Sequence, residues 1–193
     1  MAENTAVPVV QLCFDYDKCC GCRICEVVCS IKHFGEFNPE LSRIRVYDFY
    51  HGLIQVPSTC WGCRSWWADE EAFCIEACPV PEALSWYQGD ERLNVPVVNE
   101  ELCTQCLMCV DACQAKAMRI NPRTGFPMVC DRCSGDPECA KACPTGAIEG
   151  YIIPLDMARY YGSDSPEQVA EKMKNHMFYP WKGLEDWRDE SDI

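Results

Sequence analysis

Apolar residues along this chain come in short runs, none approaching the ~18 consecutive positions that a membrane-spanning helix needs. The runs recur. "VPVV" at 7–10 leads into one cysteine-rich segment, and "VPVV" at 95–98 leads into another. Behind each lies a pair of apolar stretches joined by turn residues, "RIRVY" to "LIQV" across "DFYHG" and "MRI" to "FPMV" across "NPRTG". Gly52, and Pro122 with Gly125, supply the turn chemistry, so two β-hairpins are predicted. In "ICEVVCSIKHF" and "CVDACQAKAM" a Cys-x3-Cys pair lies at i and i+4 on one helical face, and each segment is expected to begin as a helix turn. The residues after each "ACP", 80–86 and 145–150, predict a turn and then a brief strand or helix. Ser165, followed by Pro166, Glu167 and Gln168, carries a capping-box signature that opens a helix of about ten residues through Val169, Ala170 and Met173.

So little regular structure cannot enclose a large apolar core, and the composition says what replaces it. Cysteine supplies 18 of the 193 residues, which leaves a disulfide scaffold, structural zinc or iron–sulfur clusters. The opening residues "MAENTAVPVV" show neither a basic region followed by an apolar stretch nor a twin arginine, so a reducing, cytoplasmic setting is expected, with export alongside a signal-bearing partner as the alternative. Cysteines at x2 spacing also diverge around a tight loop unless a metal gathers them. The formal charge of −13, without a basic stripe, argues against a nucleic-acid or anionic-membrane surface and suits a partner with a basic face.

Sixteen cysteines fall into four groups, in the order A, B, A′, B′. The first (Cys19, Cys22, Cys25, Cys29) and the third (Cys103, Cys106, Cys109, Cys113) share the spacing C-x2-C-x2-C-x3-C. The second (Cys60, Cys63, Cys74, Cys78) reads C-x2-C-x10-C-x3-C-P, and the fourth (Cys130, Cys133, Cys139, Cys143) reads C-x2-C-x5-C-x3-C-P. A cubane offers four iron corners, and C-x2-C-x2-C lets one loop place three sulfurs on three of them. Gly21 and Thr104 are expected to leave backbone amides free to point at sulfide. The fourth cysteine, x3 further on, is expected to sit in a helix leading away from the loop. Tetrahedral zinc has no use for a third cysteine at another x2 step, and no group has the C-x3-C-x2-C order of a radical S-adenosylmethionine site.

These four groups, spanning roughly residues 7–150, resemble the four-cluster ferredoxin-like electron-transfer subunit of the dimethyl-sulfoxide-reductase family of molybdenum and tungsten enzymes. They are equally similar to the small subunits of tungsten aldehyde oxidoreductases and tungsten benzoyl-CoA reductase. The resemblance implies an α+β fold of tandem bacterial-ferredoxin-like domains, with short helices, β-hairpins and a C-terminal arm. It implies four [4Fe–4S] clusters whose outer groups pair with each other and whose inner groups pair with each other. Cluster 1 would take Cys19, Cys22, Cys25 and Cys143, and cluster 2 would take Cys29, Cys130, Cys133 and Cys139. Cluster 3 would take Cys60, Cys63, Cys74 and Cys113, and cluster 4 would take Cys78, Cys103, Cys106 and Cys109. Residues 1–57 with 126–150 would then form an outer domain, 58–125 an inner domain and 151–193 an arm. Pairing within each sequence half is the alternative that spacing leaves open.

Cys13 and Cys20 are left over, and both are expected to be packing residues. His33, His51 and His176 are read as isolated surface or capping residues. The insert between Cys63 and Cys74 carries Trp66 and Trp67, and the tail carries Phe178, Tyr179, Trp181 and Trp187; both are candidates for docking a partner. With no nucleophile, acid–base constellation or nucleotide loop, the chain is expected to be no enzyme by itself. It would carry electrons between a tungsten- or molybdenum-pterin catalytic subunit and a further donor or acceptor protein. A free-standing polyferredoxin, a respiratory beta subunit and a cluster-bearing assembly protein are the alternatives.

Overall fold

A computed structural model of the chain describes residues 8–63, 72–154 and 164–177. The "PVV" of each repeated segment, residues 8–10 and 96–98, lies in a strand. The first opens β1 (Pro8–Phe14), which pairs antiparallel with β8 (Ile148–Pro154) in the register Leu12↔Gly150 and Phe14↔Ile148. The second supplies β5 (Pro96–Val98), antiparallel to β4 (Leu84–Trp86). The sheets therefore join chain segments across the duplication: β1 precedes the first cysteine group and β8 follows the fourth, while β4 follows the second and β5 precedes the third. Close approach at this crossing requires a residue without a side chain, because a Cβ on Gly150 would stand 2.8 Å from Pro137 Cγ.

Both hairpins form: β2 (Arg45–Phe49) with β3 (Ile54–Ser58), and β6 (Arg119–Ile120) with β7 (Pro127–Met128). The turn of the first is tighter than "DFYHG" implies, because Asp48 and Phe49 belong to β2 and Tyr50, His51 and Gly52 take left-handed backbone at φ 53°, 55° and 88°. Its β2 edge is not left bare. The buried carboxylate of Glu26, in α1 (Ile24–Phe34), accepts the Val46 N–H at 2.7 Å.

Only α1 among the cysteine-bearing helices exceeds one turn. α2 (Phe73–Glu76), α3 (Met108–Asp111) and α4 (Glu138–Lys141) are four residues each. The expectation that the fourth cysteine of a group sits in a helix therefore holds for Cys29 alone; Cys78, Cys113 and Cys143 lie two residues beyond α2, α3 and α4. In α1, Gly35 closes the helix in left-handed backbone, its N–H donating to Ile31 O at 2.9 Å.

Among the described residues four apolar clusters hold these pieces. Leu12, Ile44, Val46 and Ile148 surround Cys25, Cys29, Cys130 and Cys139; Ala72, Leu84 and Met118 surround Cys74 and Cys109. Cys60 touches the first of these and, with Cys113, also packs at Trp61, Ala115 and Ala117. Tyr47 donates its hydroxyl to Lys116 O, and Ser58 Oγ to Ala115 O, both at 2.7 Å, so the β2–β3 hairpin is stitched to the segment after α3.

The last cluster belongs to α5 (Pro166–Met177). Its capping box is complete: Gln168 N–H donates to Ser165 Oγ at 3.3 Å, and Ser165 N–H to Gln168 Oε1 at 2.8 Å. Val169, Ala170 and Met173 pack on Ile54 and Val56 of β3. This helix docks on the β2–β3 hairpin of its own chain. Trp66, Trp67, Phe178, Tyr179, Trp181 and Trp187 lie outside the described residues. No helix among the described residues is long and apolar enough to cross a membrane.

Candidate metal centres

The x2 loops curl because each contains left-handed backbone. Gly21 (φ 68°) and Arg23 (φ 58°) stand in the first loop, and Gln105 (φ 57°) and Leu107 (φ 62°) hold the same places in the third. The counterpart of Gly21 is thus Gln105, not Thr104. Gly62 (φ 66°) turns the second loop, and Arg132 (φ 55°) the fourth. Side-chain-bearing residues adopt this conformation at a cost of about 1–2 kcal/mol each, so an unligated loop would relax.

The curled loops gather cysteines from distant groups. One open cavity of about 300 Å³ is lined by Cys19, Cys22, Cys25 and Cys143, with exposed Cys20 on its wall. Another, of about 340 Å³, is lined by Cys78, Cys103, Cys106 and Cys109. Cys139 lies among Cys130, Cys29 and Cys133, and also near Cys25; Cys74 lies among Cys63, Cys113 and Cys109. Cys20 is therefore exposed beside a cavity and is no packing residue. Cys13 is half-buried, its thiol pushed up by burial and by Glu149.

Burial dominates the chemistry of these thiols. It pushes Cys25 and Cys74 up to about 12 and Cys63, Cys109 and Cys133 up to about 11, with neighbouring thiols adding to the effect at each. Such groups give up their protons only to a strong positive charge, which coordinated iron supplies. Cys143 departs from this pattern: burial raises it, but the Thr145 hydroxyl and the amides of Ile148, Thr145 and Ala147 outweigh burial and bring it down. Other amides also aim at sulfur. Arg43 N–H donates to Cys29 Sγ at 3.3 Å, Ala117 N–H to Cys113 Sγ at 3.3 Å and Arg132 N–H to Cys130 Sγ at 3.4 Å. Soft donors in fours, cupped by cavities and faced by amide dipoles, fit an iron–sulfur cluster.

Two residues beside the cysteines differ from the sequence expectation or escape it. His33 is not isolated: its side chain is 12% exposed, with Nε2 3.8 Å from Cys133 Sγ and 3.4 Å from Asp131 Oδ1. Its proximity could not be read from residues 100 positions apart. His51 is exposed in the β2–β3 turn, and the His176 side chain lies outside the described residues. Arg132, inside the x2 step of the fourth group, is 1% exposed and donates from Nη1 to Gln11 Oε1 at 3.1 Å. A basic residue in such a loop ordinarily points to water, so nothing in the sequence marked it.

This donor set on curled loops defines a ferredoxin-type 4Fe–4S protein. Residues 57–81 and 96–119 each match a family model described as a 4Fe-4S binding domain. The polyferredoxin-like subunit of an aliphatic sulfonate oxidoreductase from Pyrococcus furiosus is 46% identical over 127 residues, covering 66% of this chain and 67% of its own. The B subunit of the anaerobic dimethyl sulfoxide reductase of Haemophilus influenzae is 28% identical over 171 residues, covering 79% and 78%. The solved active site complex BamBC of benzoyl coenzyme A reductase with 1,5-dienoyl-CoA contains a polypeptide 24% identical, matched over 89% of this protein and 92% of that one with a TM-score of 0.46. The chain belongs to the ferredoxin-like iron–sulfur electron-transfer subunits of oxidoreductases.

Proposed function

We propose that the chain conducts single electrons through four [4Fe–4S] clusters between a tungsten- or molybdenum-pterin catalytic subunit and an external donor or acceptor protein. The carrying observation is the cavity lined by Cys78 from one group and Cys103, Cys106 and Cys109 from the next. Its counterpart draws Cys143 from the fourth group to Cys19, Cys22 and Cys25 of the first. Both support ligand sets exchanged between outer groups and between inner groups, and the division into outer and inner domains that follows. The remaining sets are then Cys29 with Cys130, Cys133 and Cys139, and Cys60 with Cys63, Cys74 and Cys113.

Bound clusters supply reversible one-electron chemistry. Contacts between the sets support a row of four sites. Cys25 lies near Cys139 of the second set, Cys60 touches the core around that second set, and Cys74 lies near Cys109 of the fourth. Cys22 and Cys106 are exposed in the two end sets, whereas Cys29, Cys74, Cys130 and Cys139 of the middle sets are buried and no cysteine of those sets is exposed. Buried middle sites exclude water, and exposed end sites offer short approaches to partners. The cysteine order resembles subunits of tungsten and molybdenum enzymes, which supports a partner of that kind.

Anaerobic purification of the native complex tests this reading. Iron and sulfide equivalent to four cubanes are expected, with tungsten or molybdenum in a copurifying subunit. Iron for two clusters only, or clusters that accept no electrons in a reductive titration followed by EPR, would refute it. A free polyferredoxin is the second reading, favoured by the docking of α5 on its own hairpin, and native size exclusion would show it as a chain without a partner.

A further inference from the structure

The Arg132 side chain is a cation buried among cysteines with little else to satisfy it. Its guanidinium faces Cys60, Cys130, Cys13 and Cys63, so it stands where the second and third ligand sets meet. Nη1 is spent on the neutral amide of Gln11, while among the described residues Nε and Nη2 have no hydrogen-bond partner. Among the described residues no carboxylate pairs with it. Arg43, the neighbouring arginine, contrasts with this: its Nη1 is 2.8 Å from Asp131 Oδ2. The second loop makes room for Arg132, since a Cβ on Gly62 would stand 2.9 Å from its Nη2.

Arginine stays protonated, and an unpaired buried cation is strongly disfavoured unless negative charge faces it. Protonated thiols supply none, and the x2 step that Arg132 occupies holds no acid except Asp131, which is committed to Arg43 and lies near His33. Thiolate-ligated clusters supply it in quantity.

We propose that Arg132 is a cluster-contacting cation that directs Nε and Nη2 at the sulfur of the cluster held by Cys60, Cys63, Cys74 and Cys113, raising its reduction potential and that of its neighbour on Cys130. This rests on the ligand sets proposed above. A reduced cluster carries one more negative charge than its oxidised form, so a fixed cation in a low-dielectric interior stabilises the reduced form more. The same charge faces both sides of the second-to-third step, so it raises the two sites together and leaves the gap between them little changed.

The test is a reductive titration of the anaerobic holoprotein followed by EPR, comparing wild type with Arg132→Met and Arg132→Lys. In the Met variant, with iron content unchanged, a middle cluster is expected to shift by at least tenfold in its oxidised-to-reduced equilibrium, a fall of about 59 mV for one electron. The Lys variant, which keeps the charge, is expected to recover most of it. Independently of how the Met variant assembles, wild-type protein labelled with guanidino-15N arginine is expected to show a 15N hyperfine coupling on a reduced cluster that vanishes in Arg132→Lys. Unchanged midpoints in an iron-replete Met variant, or no coupling lost in the Lys variant, would overturn the proposal. Failure of the ligand assignment has a different signature, because it shows in wild-type iron content and in cysteine variants rather than in midpoints.

Discussion

Glu26 Oε1 accepts the backbone N–H of Val46 at 2.7 Å, and Oε2 lies 3.4 Å from Arg45 Nη1. The carboxylate is fully buried one residue after Cys25, so it ties the first cysteine loop to the edge of β2. Glu26→Ala strands a buried amide and leaves Arg45 short of a partner, a loss of about 2–4 kcal/mol. Glu26→Gln keeps an acceptor for Val46 and should lose about half as much. Anaerobic guanidinium titrations followed by cluster absorbance would measure both, and an unaltered midpoint in the Ala variant would sink the argument.

Cys29 is the one fourth-position cysteine inside a helix, and α1 carries it toward Cys130, whose charge acts on it more than that of any other cysteine. Cys29→Ser is expected to damage the cluster on Cys130, Cys133 and Cys139, leaving the site on Cys19, Cys22, Cys25 and Cys143 intact. Iron analysis and EPR of single and paired cysteine variants check this. If Cys29→Ser and Cys22→Ser abolished the same signal, ligand sets would follow the sequence groups instead.

Glu40 lies 3.0 Å from Arg45 Nη2 and 3.3 Å from Arg119 Nη2, joining the segment before β2 to β6. Its hydrogen bond to Arg45 holds its carboxyl below the ordinary 4.5, with both guanidinium charges helping. A carboxyl depressed in the folded state contributes stability above its unfolded value and loses it as pH falls through the folded one. Glu40 is 64% exposed, so screening limits the contribution to about 1 kcal/mol or less. The stability gap between wild type and Glu40→Gln should close as pH drops below 4.5, and it should also shrink in high salt. A gap indifferent to both would contradict the ion-pair account.

Ala170 is 1% exposed where α5 meets Ile54 and Val56. Ala170→Asp places a carboxylate in that contact at a cost above about 2 kcal/mol, enough to release the helix. Ser165→Ala removes only the cap and should cost about 1 kcal/mol. Hydrogen exchange should show lost protection across residues 166–177 in the first variant, with cluster signals unchanged. Cluster loss on release of α5 would mean that the helix also shields a site.

Much of the site was legible because metal ligation constrains local spacing. C-x2-C-x2-C lets one short loop place three sulfurs on one cubane, and the four cysteine groups and both hairpins could be read from such short-range patterns. The capping box at Ser165 was legible for the same reason, since its partners are three residues apart. Helix length was not. "CVDACQAKAM" carries a helical i, i+4 pair, yet α3 stops at Asp111, and Lys116 turns at φ 50° so that Ala115 and Ala117 can pack beneath Trp61. Tertiary packing overrode a local preference there.

The sequence by itself determined the chemistry: thiolate donors in fours, at spacings only a cubane's geometry explains, on a chain too poor in apolar runs to fold around anything else. Tertiary structure alone decided which groups meet. Antiparallel pairing of β1 with β8 and of β4 with β5 brings the fourth group to the first and the second to the third, and a pairing such as Leu12 with Gly150 leaves no local trace in either strand. It also decided that Arg132 lies buried beside Cys13, Cys60, Cys63 and Cys130, because burial belongs to the packing around a residue and not to the residue.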